Sequence, residues 1–181
     1  MSSVIDELRL AKEGEYVHKH EAELIEKLRH QLAVEKAAAG IEQSGVVSPE
    51  LAQLLASLGI DPLTLPVLHL VPLVKVAWAS GTIEPEERQL IEQAARQAGI
   101  NESSPCWLLL AEMLRQQPSA ELEQAALRYL AAAVPGAARG SLMRSAQAVA
   151  AATGGLFGVF GNVERAERDA LAELGRRLGV G

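Results

Sequence analysis

The chain predicts an all-α fold: a compact bundle of about seven helices with an internal pseudo-repeat of helical hairpins, preceded by a long N-terminal helical arm. Three observations carry this. A segment occurs twice: residues 81–100 (GTIEPEERQLIEQAARQAGI) and 161–180 (GNVERAERDALAELGRRLGV) align without a gap at an offset of 80. Helix-start and helix-stop signals recur along the chain, and no segment shows the period-2 alternation of a half-buried strand. Half of the composition is apolar (49%) but only 3% is aromatic, so the core is built from alanine and leucine, which suits closely packed helices.

Residues 4–39 contain no proline and read as one helix, an arm spanning residues 1–40. Leu10, Val17, Leu24, Leu28 and Leu32 recur at steps of seven or four, with Ile25 beside them. The remainder is dense in Glu, Lys and Arg, with i,i+4 pairs such as Glu23–Lys27. About 35 residues at about 1.5 Å each give a rod of roughly 50 Å. A stripe this narrow suits one partner helix, from a second copy or another protein, or an arm folded back on its own domain. Residues 41–47 read as a linker and 48–181 as the helical domain.

Within that domain Ser48-Pro49-Glu50 caps a helix that Gly59 ends. The apolar stretch 66–79 (PVLHLVPLVKVAWA) reads as a buried helix, kinked or restarted at Pro72. Pro85–Ala98 follows, then Ser104-Pro105 opens a helix to about Gln116. Further helices are expected at 120–133, 138–152 and from about Arg165 to Leu178. The glycine-rich GGLFGVFG at 154–161 lacks the Gly-Lys-Ser/Thr ending of a phosphate loop. It reads as a loop anchored by Phe157 and Phe160, which are also candidate partner contacts.

The net charge of −6 argues against nucleic-acid binding, which wants a basic surface. Cys106 is the single cysteine, so a disulfide framework and a thiolate metal cluster are excluded. The charged N-terminus shows no signal-peptide pattern, and no segment reads as a stable membrane span. A cytoplasmic protein is expected. His18, His20 and His30 lie on the charged arm, and His69 sits in an apolar helix as a core histidine. No nucleophile and base pair can be placed together, so no catalytic residue and no enzyme activity are expected.

The string VPLVKVAWASGTIEPEERQLIEQAARQAGI, and Ala79-Ser80-Gly81-Thr82-Ile83-Glu84-Pro85-Glu86-Glu87-Arg88 within it, resembles the TerB-like family, named for a tellurite-resistance protein. The second copy, preceded by Gly154-Gly155-Leu156-Phe157-Gly158, resembles the C-terminal segment of such proteins, so the likeness covers roughly residues 50–181. It implies about seven helices around a pseudo-twofold, a link to stress or metal-ion response, an acidic cluster that can take a divalent cation, and no generally established enzyme activity. Where the family motif has Asp this chain has Ser80, and the second copy has Phe160-Gly161-Asn162. The candidate cation ligands are then Glu84, Glu87, Glu164 and Glu167, for a hard cation such as calcium. The same E-x-x-E spacing also describes helix-start chemistry, with one Glu at the cap and the next at the third position. Two functions follow: an interaction or scaffold module whose arm self-associates or docks a partner, and a divalent-cation-binding stress sensor.

Overall fold

A computed structural model describes residues 2–153 and 163–179, with side-chain surroundings described for most positions from His18 onward. The described residues form eight α-helices and no strand. They are α1 (Ser2–Glu42), α2 (Pro49–Ser57), α3 (Val71–Ala77), α4 (Pro85–Gln97), α5 (Pro105–Arg115), α6 (Ala120–Ala133), α7 (Gly136–Thr153) and α8 (Val163–Leu178). Short 3-10 turns at Leu65–His69 and Trp78–Ser80 flank α3.

The helix starts are set by local chemistry. Ser48, Ser104 and Ser119 accept from the backbone N–H of Leu51, Trp107 and Leu122, and proline stands in the first turn of α2 and α5 where its missing N–H costs nothing. The apolar run 66–79 is three pieces where the sequence reads as one kinked helix. Pro66 and Pro72 each open a new segment, so the run becomes a 3-10 turn, α3 and a second 3-10 turn.

Helix α3 is the centre of the bundle, with every residue but Lys75 buried. Helices α6, α7 and α8 pack around it, α7 also crosses α4, and α5 rests on the Leu65–His69 turn. Lys75 reaches Glu123 on α6 at 2.9 Å, so the buried Glu123 carboxylate has a cation. One guanidinium ties three helices together: Arg139 on α7 donates to the carbonyls of Ala131 (2.6 Å), Val134 (2.9 Å) and Leu178 (3.3 Å). The carbonyl-rich end of α5 is served in the same way, by Trp78 Nε1 on Met113 O and by Arg88 on Leu114 O, each at 2.9 Å.

The arm differs from its expected bounds at one end. The helix runs through Gly40 to Glu42, and Ala38 and Ile41 are part of the core, where α1 packs on α2. Residues 41 and 42 are therefore not linker. A Cβ on Gly40 would stand 2.6 Å from Pro62 Cγ, so the glycine lets the helix pass the proline ring and does not break the helix.

Candidate functional site

The two copies of the repeat become α4 and α8. Gly99 and Gly179 close them with left-handed φ of 79° and 64°, as a shared helix stop requires. Ala95 and Gly175 are both buried, and so are Glu87 and Glu167.

Glu87 sits at the third position of α4 in a capping box with Glu84, its Oε2 accepting from Glu84 N–H at 2.8 Å. The helix-start reading of the E-x-x-E spacing is therefore met in α4. Capping does not explain the rest of the side chain. Glu87 is fully buried and its Oε1 has no hydrogen-bond partner, the single such buried side-chain atom among the described residues. Burial pushes its pKa up to about 7, against the lowering effect of the Glu84 N–H, and the charges of Glu167, Glu84 and Glu86 push the same way. Glu167 on α8 is buried as well and close enough for its charge to oppose that of Glu87.

Two of the four proposed cation ligands, Glu87 and Glu167, are buried, and the charge of Glu167 is felt at Glu87. Glu84 is exposed and engaged in the capping box. Glu164 belongs to α8, with its side chain outside the described residues. Ser80 turns its hydroxyl onto Thr82 O at 2.8 Å, inside its own turn. Among the described residues no group of three or more His, Cys, Asp and Glu converges.

The second candidate surface is α1. Every described side chain from His18 to Ala33 is exposed. Leu24, Ile25, Leu28 and Leu32 are between 49% and 64% exposed and fall on one face by their spacing. That face is roughly a third of a turn away from Ala38 and Ile41, the side by which the helix enters the core. Leu10 and Val17 continue the stripe along α1, but their side chains lie outside the described residues, as do Phe157 and Phe160 altogether.

The remaining polar candidates have structural partners. Cys106 is buried at the start of α5, its thiol donating to Leu63 O at 3.0 Å, and burial raises its pKa. The helix N-terminus does not activate it. His69 is partly buried, with its pKa lowered by burial, and meets Tyr129 edge-on at 6.0 Å. His18 faces Glu21 at 3.8 Å on an exposed surface. No described helix is long and apolar enough to cross a membrane.

No family model, curated protein or solved structure matches this chain. Glu87 and Glu167 aligned from the start, but only the packing of the bundle shows that both are buried. The roles of Arg139 and Arg88 as carbonyl donors were missed, since a lone arginine in a helical pattern reads as a solvated residue.

Proposed function

We propose that this protein is a non-enzymatic interaction module: a helical domain that presents α1 as an arm for docking against a helix of a second copy or of another protein. The single observation that carries it is the face of Leu24, Ile25, Leu28 and Leu32, at least about half exposed on a helix that its own domain leaves uncovered over residues 18–33. Four large apolar side chains in nine residues are costly to keep in water; with about half of each still exposed, covering the rest gains roughly half of the 1.5–3 kcal/mol that complete burial is worth. A helix lacking tertiary packing is also only marginally stable. Both costs are removed by a partner helix laid along the stripe. We extend the reading to a TerB-like role in stress response on the likeness of segment Ala79–Arg88 alone.

Sedimentation and circular dichroism over a range of protein concentration test it. Self-association is expected to rise with concentration together with helix content. Replacing Leu24, Ile25, Leu28 and Leu32 by Gln is expected to abolish both while leaving the melting of the domain unchanged. A monomer whose amides 18–33 are as protected from hydrogen exchange as those of α6 would sink the idea, because the arm would then already be packed on its own domain. A monomer with unprotected amides there directs the docking to a different protein.

A further inference from the structure

The apolar face of α1 includes an acid. Glu21 precedes Leu24, Ile25 and Leu28 by three, four and seven residues, so it stands on the same side of the helix as they do. On its own helix Glu21 meets His18 at 3.8 Å, and an imidazole is charged only when protonated. Among the described residues no lysine or arginine pairs with Glu21. Arg29 flanks the same stripe, four residues past Ile25, and its side chain is exposed. It lies eight residues beyond Glu21. That is about 12 Å along the helix, too far for the two to meet within one chain.

A carboxylate that becomes covered needs a cation beside it. Whatever covers this face must bring one to Glu21, and the arm itself carries one at the required spacing. We infer that the occupant of the α1 face is α1 of a second copy, antiparallel and crossing at Ile25, with Glu21 of each chain against Arg29 of the other. The inference rests on the reading of α1 as a docking arm. Glu21 and Arg29 stand four residues to either side of Ile25, about 6 Å along the axis. A twofold axis at Ile25 sets each level with the other, and in an antiparallel pair the same flanks of the two stripes face one another. One register therefore makes the ion pair twice. Leu24, Ile25 and Leu28 of each chain lie within about one turn of the crossing, so they meet the same residues of the second copy.

The other ways of laying the stripe on itself set acid against acid. In a parallel pair in register Glu21 meets Glu21. An antiparallel pair crossing at Leu28 overlaps Leu24 with Leu32, but it brings Glu21 level with Glu35 and Lys27 level with Arg29. Like charges placed opposite one another select against both registers, and the crossing at Ile25 is free of these clashes.

The test is sedimentation equilibrium of the full chain at neutral pH, for the wild type, Glu21→Arg, Arg29→Glu, the double exchange, and the variant with Gln at positions 24, 25, 28 and 32. Each single exchange should weaken dimerisation about tenfold or more, since two like pairs replace two opposite ones. The double exchange should restore it to within about threefold of the wild type. An equimolar mixture of the two single variants should form a heterodimer. A Glu21→Arg chain that dimerises as well as the wild type would overturn the antiparallel pairing, because a parallel pair only exchanges one like contact for another. So would a double exchange no better than the single ones. A monomer whose amides 18–33 exchange freely would overturn the second copy as occupant and leave the arm to a different protein. Self-association untouched by the four Gln substitutions would remove the arm reading itself, and this inference with it.

Discussion

Two truncations that differ by nine residues separate the arm from the domain. Removing residues 1–33 takes away a helix whose described side chains, from His18 to Ala33, are all exposed. Surface changes of this kind alter stability by less than about 1 kcal/mol. Removing residues 1–42 also takes Ala38 and Ile41, the latter fully buried against α2. Truncating a single buried Ile to Ala costs about 2–5 kcal/mol, and losing the whole last turn of α1 uncovers Leu51 and Leu55 in addition. At roughly 2–4 °C per kcal/mol for a chain of this size, the shorter cut should lower Tm by less than about 4 °C and the longer one by about 5–20 °C. Urea and thermal denaturation followed by circular dichroism measure both, and sedimentation on the same samples shows whether the shorter cut has lost self-association. Equal stability of the two products would mean that the last turn of α1 is not core. A loss of several kcal/mol on removing residues 1–33 would mean that the stripe is already covered by the domain, and the interaction reading would fail with it.

Arg139→Met should cost about 2–4 kcal/mol, because three carbonyls at the ends of α6 and α8 lose one charged donor; a change below about 0.5 kcal/mol in a urea titration would show that water replaces it. Gly40→Ala should destabilise despite the roughly 1 kcal/mol that alanine gains in a helix, since its Cβ would meet the Pro62 ring at 2.6 Å. A rise in Tm would show that the ring moves aside. Cys106 should react with an alkylating reagent at pH 8 far more slowly than a free thiol, as its raised pKa lowers the thiolate fraction and burial blocks access; mass spectrometry at intervals reads this, and fast labelling of the folded protein would contradict the burial.

The helix boundaries were legible because they are written in local chemistry. Ser48-Pro49 and Ser104-Pro105 are starts whose hydroxyls do cap, and Gly99 is a stop that does adopt left-handed φ. Where local signs misled, a distant residue was the cause. Gly40 reads as a breaker, and only the closeness of Pro62 shows that it is a passage for an unbroken helix. The stretch 66–79 is apolar throughout, so periodicity could not divide it, and two prolines did. At the site, the spacing of Glu84 and Glu87 correctly implied a capping box. The burial of Glu87 was not legible, because a glutamate at a helix start is normally solvated and nothing local says otherwise. The stripe on α1 was visible as a pattern, but its exposure depends on where the domain lies, which the pattern does not contain.

A helix cap alone does not need a buried glutamate. The capping role of Glu87 is fulfilled by Oε2, and an exposed side chain would serve as well. Glu87 and Glu167 are equivalent positions of the repeat and both are buried, and burial is the largest cause of the raised pKa of Glu87, with the charge of Glu167 acting in the same sense. The cost follows from the titration. A carboxyl moved from 4.5 to about 7 is less stable ionised in the folded state by about 3 kcal/mol, at about 1.4 kcal/mol per pH unit. Because the folded pKa is the higher one, that cost is absent below about pH 4.5, grows as pH rises toward about 7 and is full above it. The double variant Glu87→Gln, Glu167→Gln should therefore equal the wild type near pH 4 and exceed it by up to about 3 kcal/mol at pH 8. Urea denaturation at the two pH values measures the difference. If the variant gains at pH 8, the buried carboxyl of Glu87 lowers the stability of the fold whose helix it caps. If it loses stability at both pH values, the carboxylates are held by donors stronger than Glu84 N–H, and the pair is structural.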